Sequence, residues 1–359
     1  MGFLKNSWYV AAWSHEVTDQ LFRRKILNSE ILIYRRENGT PAAVANLCPH
    51  RFAPLHLGRI KGDFVECGYH GLQFDGAGNC VHNPHGDHSI PKAAKVRSYP
   101  LVERHNILWI WPGDPALADP EAIPDYSYLV DKKHKTIYGG KTLMANYELI
   151  VDNLMDASHT QYVHMDLLGT DAFTRSKHEV IQEGTTVHSN YLIPGGEVPL
   201  AYKPYFDDPN ELVDYSVNFR WQAPARVRNS VSLIPIADPN RGIRRTGTHV
   251  MTPETDLTTH YFFCHTRDFK LDDVLLDERT RMWQQSGLSE QDGPMVEAVQ
   301  KAMGTVTDIN SLKPALFSID TAAVRVRRVL AKLIKDESES QLAKEAPRDS
   351  GATVLVAEQ

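Results

Sequence analysis

Two short cysteine–histidine pairs constrain this sequence of 359 residues more than any other feature. Cys48-Pro-His50 forms a Cys-x-His run, and after sixteen further residues Cys67-Gly-Tyr-His70 forms a Cys-x-x-His run. Two thiolates and two imidazoles supplied in this way suit a [2Fe–2S] cluster, with both cysteines on one iron and both histidines on the other. Because such a cluster carries electrons, the pattern predicts redox chemistry elsewhere in the chain.

A structural zinc site is the alternative for two cysteines and two histidines. Zinc fingers pair cysteine with cysteine and histidine with histidine, whereas each half here is mixed. Pro49, Pro54, Gly68 and Gly71 surround the two halves, which is typical of tight loops that grip a cluster from either side. We therefore favour the iron–sulfur interpretation, which a red-brown protein would distinguish from a colourless zinc-stapled binding protein.

Composition indicates a globular protein of two domains without a nucleic-acid partner. The length exceeds that of one small domain, and a formal charge of −6 is unsuited to binding a polyanion. The N-terminus lacks the pattern of a signal peptide, and no apolar run has the length of a membrane span. The four cysteines include only two outside the metal pattern, Cys80 and Cys264, which we expect to be buried small hydrophobes. A cytoplasmic location follows.

The order of local patterns predicts a β-rich domain over 1–125, a catalytic domain over 126–335, and a polar, mobile tail over 336–359. A hairpin is expected from 30–34 and 42–45, and the proline-rich segment 114–125 is typical of a linker. Helices are predicted over 146–164, 273–303 and 321–335. Strands fill 178–265, with turns at 194–196, 207–209 and 238–240, and the basic face of the last helix is expected to be solvated.

A second metal site is predicted in the helix over 146–164. Asp152, Asp156, His159 and His164 lie within thirteen residues that otherwise show the spacing of a buried helix. A salt-bridged interior helix would explain these groups, since burying them without partners is unfavourable. The alternative is that the two histidines bind a metal, which the electron-carrying cluster favours.

Histidines five residues apart do not share a helix face. If both bind one ion, the helix must widen or break between them, as a π-type bulge allows. Two histidines and one carboxylate form the facial triad of non-haem iron(II) oxygenases. The spacing leaves several carboxylates open as the third ligand: Asp272, Asp273, Asp277, Glu290, Asp292 and Glu297.

From Trp8 to Arg325 the sequence resembles the Rieske non-haem iron oxygenases of the vanillate and dicamba O-demethylase group. The runs that carry the resemblance are Cys48–Pro54, Tyr69–Leu72, Trp109–Pro115, Val151–Asp156, Gly247–Pro253 and Met295–Ala298. The resemblance implies an α+β protein, in which an N-terminal β-rich Rieske [2Fe–2S] domain precedes a helix-grip catalytic domain of antiparallel sheet plus helices.

The resemblance also assigns roles around the mononuclear iron. It implies Asp292 as the third ligand, although Gly293-Pro294 departs from the family pattern directly after it. Asn153 matches an amide beside the iron. Asp156 matches a carboxylate that bridges His70 of one subunit to His159 of its neighbour, which implies a head-to-tail homotrimer.

Substrate contacts follow from the same resemblance. Asn229, His249 and Trp283 match positions that hold the carboxylate and ring of a small aromatic acid. An amide and an imidazole can donate hydrogen bonds to a carboxylate, and an indole can form a wall for the ring. His249 and Trp283 could instead be ordinary core residues. The loop over 195–211 is expected to shape the pocket.

The activity implied is that of a terminal oxygenase component, which uses O2 and two electrons to O-demethylate a methoxybenzoate to a phenol and formaldehyde. A ferredoxin or reductase must supply the electrons, and NAD(P)H acts only through it, because no dinucleotide fingerprint is visible. N-dealkylation, methyl hydroxylation and ring hydroxylation are the rival reactions. A pure electron carrier would not need the residues beyond the first domain.

Overall fold

The computed structural model describes residues 2–345, and its N-terminal part consists of small antiparallel sheets. The strands are β1 (Tyr9–Trp13), β2 (Phe22–Ile26), β3 (Ser29–Arg35), β4 (Pro41–Ala45), β5 (Arg59–Lys61), β6 (Phe64–Glu66), β7 (Gln73–Phe74), β8 (Cys80–His82), β9 (Ser98–Tyr99), β10 (Leu101–Arg104) and β11 (Ile107–Ile110). The spatial orders of the sheets are β1-β11-β10, β2-β3-β4-β9 and β5-β6-β7-β8.

The hairpin predicted over 30–45 is confirmed by the antiparallel pairing of β3 with β4. Both faces of β3 are buried, because successive side chains point to opposite sides of the strand. Ile31 and Ile33 enter one core. Leu32 and Tyr34 enter a second core, which also contains the cysteines of the first metal motif. This strand therefore ties the motif to the centre of the domain.

The proline-rich segment 114–125 forms short 3₁₀ turns at Pro115–Leu117 and Pro120–Ala122. Asp119 caps the second turn, and its carbonyl oxygen accepts a hydrogen bond of 2.8 Å from the Trp8 indole. The segment is thus packed against the first domain.

A seven-stranded antiparallel sheet forms most of the second part, in the order β12-β18-β17-β16-β15-β14-β13. Its strands are β12 (Lys135–Leu143), β13 (Lys177–Glu183), β14 (Thr186–Glu197), β15 (Leu212–Gln222), β16 (Arg226–Pro235), β17 (Ile243–Pro253) and β18 (Thr259–Arg267). The turn predicted at 194–196 is wrong. These residues form a bulge inside β14, where the register with β15 shifts and Gly195 has a φ of 60°, because Gly195 can adopt the left-handed backbone that a bulge requires.

The helices pack against this sheet, which confirms the α+β prediction. They are α1 (Tyr147–Met155), α2 (Thr160–Val163), α3 (Val274–Gln284), a π-helix (Gln285–Asp292), α4 (Gly293–Met303) and α5 (Thr321–Glu345). Side chains of α1, α4 and α5 join strand residues in one large core. Between residues 2 and 345, no helix combines the length and the apolar composition needed to cross a bilayer.

The last helix differs from its prediction in two ways. It continues to Glu345, past the start expected for the tail, because Lys332 pairs with Asp336 at 2.6 Å and Glu337 accepts the Asn6 amide at 2.6 Å. Its basic face is only partly solvated, since Arg327 is buried in an ion pair with Asp152. Residues 346–359 of the predicted tail lie outside the described residues.

The two parts share a hydrophobic core, in which Trp8 and Trp109 of the first part join Val250 and Phe262 of the second. The Trp13 indole also donates to the Gly139 carbonyl oxygen at 3.0 Å. The expectation for the two remaining cysteines holds for one of them: Cys264 is fully buried in this core, whereas Cys80 is only half-buried.

Candidate functional site

Two loops with the same backbone hydrogen bonds carry the first metal motif. In the loops over 48–53 and 67–72, the cysteine amide donates to the carbonyl oxygen five residues later, at 2.9 and 2.8 Å. The cysteine carbonyl oxygen accepts from the amide four residues later, at 2.9 and 3.0 Å. That fourth residue has a left-handed backbone in both loops, with φ of 57° at Phe52 and 69° at Gly71. The two halves of the motif are thus presented by matching loops.

The donor atoms of these loops fit a [2Fe–2S] cluster. Cys48 and Cys67 are each 2% exposed, and the rings of His50 and His70 lie 4.5 Å apart between centroids. Burial, reinforced by the neighbouring Cys67 thiol, raises the pKa of Cys48 to about 11. A bound metal removes such protons, because thiolates are its ligands. Two buried thiols and two neighbouring imidazoles therefore suit a cluster in which one iron is bound by cysteines and the other by histidines.

The helix predicted over 146–164 is interrupted at Asp156. Asn146 caps the start of α1 by accepting from the Glu148 amide at 2.9 Å, and α1 ends at Met155. Asp156 is extended, and its carboxylate accepts from the Ser158 amide at 2.8 Å. This side-chain cap starts a new 3₁₀ turn, since an aspartate can replace the helical hydrogen bond that the break removes. His159 lies on that turn, which continues into α2.

His159 and His164 face a single carboxylate. His164 ends α2, and the ring centroids of the two histidines are 5.2 Å apart. The Nε2 atoms of His159 and His164 lie 3.4 and 3.1 Å from Asp292 Oδ1. One donor atom from each of the three residues falls within 4.8 Å of the others, and His164 and Asp292 are buried. This is the donor set of a two-histidine, one-carboxylate iron site.

A π-helix brings Asp292 to the histidines. A widening or break of the helix was expected between His159 and His164, which is wrong, since α2 joins them with an ordinary helical turn and the break lies before His159, at Asp156. The wide turn instead covers Gln285–Asp292, and α4 begins at Gly293 with Pro294 in its first turn. The π-helix runs directly into α4, and its wider turn departs from regular α-helical hydrogen bonding immediately before Pro294, which accommodates a residue without a backbone N–H. The Gly293-Pro294 departure is therefore accommodated, and Asp292 keeps its place beside the histidines.

The other carboxylates that the sequence left open have different surroundings. Asp272 is exposed, and Asp273 caps α3 by accepting from the Leu276 amide at 2.9 Å. Asp277 pairs with Arg267 at 2.6 Å. The two glutamates form hydrogen bonds away from the histidines: Glu290 with Gln285 and Glu297 with the Met144 amide.

Hydrogen bonds orient both imidazoles. Nδ1 of His164 donates to Gln291 Oε1 at 2.7 Å, and Nδ1 of His159 donates to the Asp156 carbonyl oxygen. In a neutral ring this leaves the Nε2 lone pair facing Asp292, as a metal ligand requires. Sequence reasoning missed Gln291. Because Gln291 directly precedes the candidate ligand Asp292, its position in the sequence could have identified it.

The electrostatics of the group suit a cation. Burial opposes ionisation of Asp292, but when His159 and His164 are also protonated on Nε2 their hydrogen bonds and charge outweigh burial and hold the pKa of this carboxyl well below its usual range. Burial lowers the pKa of His159, and contact with Asp292 raises it by more, so the net pKa is raised. Asn153 Nδ2 also donates to Asp292 Oδ1 at 3.3 Å.

The carboxylate of Asp156 does not contact the His159 ring within the chain. Besides the Ser158 amide, it accepts from the Tyr191 hydroxyl at 3.5 Å. Tyr191 is stacked on His178, with 4.1 Å between ring centroids. Sequence reasoning missed Tyr191, because strand residues far from α1 carry no local signal of this contact.

A cavity beside the three metal-binding candidates is lined by all three predicted substrate contacts, Asn229, His249 and Trp283. His249 is 1% exposed, and its Nδ1 lies 2.7 Å from the Tyr261 hydroxyl. Burial lowers the pKa of His249 to about 4, so the ring is neutral near pH 7. Each of the three predicted contacts has one buried atom without a hydrogen-bond partner among the described residues: Asn229 Oδ1, His249 Nε2 and Trp283 Nε1. Such atoms indicate a ligand site, because buried polar groups are normally paired.

Sequence reasoning missed three further residues that line this cavity, Arg245, Gly247 and His265. Arg245, Gly247 and His249 share one face of β17, and alternation along a strand could have revealed the first two. His265 of β18 pairs in register with Gly247. From the loop expected to shape the pocket, Tyr202 lines the cavity.

Family models match both parts of the chain. The "Rieske [2Fe-2S] domain" model matches residues 7–100, and the "Vanillate O-demethylase oxygenase C-terminal domain" model matches residues 143–336. The second match covers more than half of the chain.

Similar proteins extend over nearly the whole length. The oxygenase component of dicamba O-demethylase from Stenotrophomonas maltophilia is 43% identical over 93% of this chain and 98% of its own. The oxygenase component of chloroacetanilide N-alkylformylase from Rhizorhabdus wittichii is 38% identical over 93% and 97%. The crystal structure of dicamba monooxygenase bound to 3,6-dichlorosalicylic acid matches with a TM-score of 0.90 at 42% identity, covering 94% of this chain and 99% of that one. The chain belongs to the Rieske non-haem iron oxygenases of the vanillate and dicamba O-demethylase group, and it is the oxygenase component of a multicomponent enzyme.

Proposed function

We propose that this oxygenase O-demethylates a small aromatic acid of the methoxybenzoate type, giving a phenol and formaldehyde. The observation that carries the proposal is a cavity in which unpartnered polar atoms of Asn229, His249 and Trp283 lie beside the His159–His164–Asp292 group. Oxygen insertion into a methyl C–H bond would give a hemiacetal, which collapses to the two products. The similarity to the oxygenase component of dicamba O-demethylase supports this reaction class.

We propose that His159, His164 and Asp292 hold an iron(II) ion, and that Cys48, His50, Cys67 and His70 hold the [2Fe–2S] cluster. When bound, the iron supplies O2 activation and the cluster supplies electrons. The contacts of the three iron-binding candidates support this assignment. Gln291 and the Asp156 carbonyl fix the two rings, and the Asn153 amide restrains Asp292.

Substrate positioning is the task proposed for Asn229, His249 and Trp283. If the Tyr261 hydroxyl donates to His249 Nδ1, the neutral ring carries its proton on Nε2 and can donate to a substrate carboxylate. Asn229 contributes an amide beside it, and Trp283 provides an aromatic wall. Holding the methyl group near the iron and excluding water are the protein's contributions to the reaction.

The route of the electrons is the second part of the proposal. We propose a head-to-tail homotrimer in which Asp156 links His70 of one subunit to His159 of its neighbour. The half-buried carboxylate of Asp156, which has no contact with the His159 ring inside the chain, supports this role. The exposed ring of His50 supports access to a separate ferredoxin or reductase, which uses NAD(P)H.

The same division of labour is proposed for the two parts of the chain. Residues 1–125 carry the cluster and residues 126–335 carry the iron and the substrate pocket. The first sheets end at Ile110 and the seven-stranded sheet begins at Lys135, which supports a boundary in the segment between them.

A single-turnover assay tests the proposed reaction. The iron-loaded protein is reduced, freed of reductant, and mixed with O2 and a panel of methoxybenzoates, and phenol and formaldehyde are quantified. We expect one formaldehyde per phenol from at least one acid. Asp292→Asn should abolish product and leave the visible spectrum of the cluster unchanged, whereas the exposed Asp272→Asn should behave as wild type.

The same assay separates the rival reactions. N-dealkylation is the rival to which the similarity to the N-alkylformylase component points, and chloroacetanilides would then be the productive substrates. Methyl or ring hydroxylation would give an oxidised aromatic without formaldehyde. Either result would contradict O-demethylation and retain the oxygenase.

A further inference from the structure

The substrate cavity contains a buried positive charge that has no carboxylate partner among the described side chains. Among the described residues, three arginines are more than nine-tenths buried: Arg245, Arg267 and Arg327. Arg267 pairs with Asp277 at 2.6 Å, and Arg327 pairs with Asp152. Arg245 forms no ion pair with any side chain that the structure describes, although a buried charge is strongly unfavourable unless it is paired.

Aromatic rings surround the Arg245 guanidinium. Its Cζ atom lies 5.2 Å from the centroid of Trp283, 5.5 Å from Tyr202 and 5.9 Å from Tyr205. Nη1 donates to the Tyr205 hydroxyl at 3.4 Å, and Nη2 has no hydrogen-bond partner among the described residues. These rings attract the guanidinium through cation–π contacts, but they carry no negative charge to balance it.

Apart from Arg245 and the iron-binding candidates His159, His164 and Asp292, the titratable groups of the cavity are neutral near pH 7. Among the described lining residues, Arg245 is the one lysine or arginine. His249 is neutral near pH 7, because burial lowers its pKa to about 4. Burial, reinforced by Arg245 and His249, lowers the pKa of His265 well below its usual value. A substrate carboxylate held only by these neutral groups would be buried without a counter-ion.

His265 provides a neutral donor between Arg245 and His249. The side-chain amide of Gln284 donates to the His265 Nδ1 atom at 3.0 Å, so the neutral ring carries its proton on Nε2. That Nε2 atom is buried and has no partner among the described residues. The His265 ring is also 5.8 Å from His249 between centroids. An acceptor group in the cavity can therefore receive from the guanidinium and from this imidazole.

We propose that Arg245 is the counter-ion for an anionic ring substituent of the substrate, a carboxylate or a sulfonate, with His265 as an additional hydrogen-bond donor. The inference rests on the proposed function, since it names the charge class of the substrate that occupies the same cavity. A guanidinium presents two parallel N–H groups, which match the two oxygens of either anion. Arg245 thus determines the preference for aromatic anions over neutral aromatics of the same shape.

Binding to the iron-loaded, unreduced holoenzyme tests this role without turnover. Titration calorimetry would compare 4-methoxybenzoate and 4-methoxybenzenesulfonate with methyl 4-methoxybenzoate, on wild type and Arg245→Met. Arg244→Met is the matched control, because Arg244 is the adjacent residue of β17 and is exposed on the opposite face. Arg245→Lys retains the positive charge but loses the two parallel N–H groups of the guanidinium.

We expect wild type and Arg244→Met to bind at least one anion about tenfold more tightly than the ester. Arg245→Met should lose about 10- to 100-fold in affinity for that anion and less than about threefold for the ester. Arg245→Lys should recover part of the loss. Because a buried unpaired charge disappears, the thermal midpoint of the ligand-free Arg245→Met protein should equal or exceed that of Arg244→Met.

A wild-type protein without preference for either anion over the ester would overturn the inference. An anion preference that survives in Arg245→Met would also overturn it, as would equal losses for anion and ester with a midpoint several degrees lower. Failure of the proposed reaction is a separate result. Arg245-dependent anion binding without formaldehyde in single turnover refutes O-demethylation and supports the role of Arg245, whereas formaldehyde with an unchanged preference does the reverse.

Discussion

Replacing Gly247 by alanine tests whether the spacing of Asn229 and His249 controls substrate binding. Gly247 lies opposite Asn229 on neighbouring strands of the sheet. A Cβ atom at Gly247 would lie 1.8 Å from Asn229 Oδ1 and 2.9 Å from His249 Nε2. Ordinary contact begins at 3.4 Å, so the amide oxygen must move by about 1.6 Å and the imidazole by about 0.5 Å.

Displacements of this size are expected to impair catalysis more than folding. Misplacing a positioned group by about 1 Å can cost about 100-fold in rate, so we expect kcat/KM for the productive methoxybenzoate to fall by about that factor. Overpacking costs about 1–3 kcal/mol, which corresponds to a decrease of about 2–6 °C in the thermal midpoint. Steady-state formaldehyde release and circular-dichroism melting measure the two effects.

Two further variants distinguish the proposed clash from a general effect of alanine in the sheet. Gly140→Ala is the matched control, because its Cβ would lie 3.5 Å from the Tyr261 carbonyl oxygen, an ordinary contact. In Asn229→Ala the atom nearest to the new methyl group is absent, so adding Gly247→Ala should cost little further stability and leave kcat/KM low. A Gly247→Ala enzyme with the kcat/KM and thermal midpoint of wild type would refute the reasoning.

Gln291→Leu should weaken iron binding by about 10- to 100-fold, measured by chelator competition, because His164 loses the acceptor of its Nδ1 proton. Burial, reinforced by nearby carboxylates, raises the pKa of Glu148 from 4.5 to about 7. The neutral acid therefore contributes stability that is complete below about pH 4.5 and is lost as the pH rises through about 7. Glu148→Gln should remove this loss, up to about 3 kcal/mol, in urea unfolding at about pH 5 and pH 8. Co-assembled Cys67→Ser and Asp292→Asn subunits should recover activity that neither has alone, because the proposed electron route crosses between subunits.

Each of these three experiments has its own control. Gln285→Leu alters an exposed glutamine of the same π-helix and should leave iron affinity unchanged; equal losses in both variants would argue against a role specific to Gln291. An unfolding free energy of Glu148→Gln that falls between the two pH values as steeply as in wild type would exclude Glu148 as its source. Inactive mixed assemblies, together with active wild-type trimers reassembled in the same way, would contradict transfer between subunits.

Residues close together in the sequence could be assigned from the sequence because their geometry is local. The spacing of Cys48, His50, Cys67 and His70 specifies two short loops, and the structure builds these loops with matching hydrogen bonds. The alternation of apolar and polar residues over 30–34 and the return of the chain over 42–45 likewise predicted the hairpin of β3 and β4. The single helix predicted over 146–164 was wrong for an equally local reason. The side chain of Asp156 caps a new 3₁₀ turn, and α1 therefore ends at Met155.

Contacts between distant parts of the chain could not be read from spacing. The family resemblance, and not the pattern of acidic residues, singled out Asp292, and no pattern predicted the π-helix that brings it to the histidines. Tyr191 and Gln291 likewise became visible only through their distances to Asp156 and His164.

The sequence by itself determined the kinds of donor atoms and the order of the two metal motifs, because these depend on residue type and spacing, and the family resemblance of its motifs implied the α+β class. The tertiary structure decided which charges are buried without a partner. Arg245 has the same side chain as Arg267, and only the neighbouring strands and helices reveal that Arg267 meets Asp277 while Arg245 faces the cavity. Pairing of a buried charge depends on what the fold brings within a few ångströms, and sequence separation carries no information about that distance.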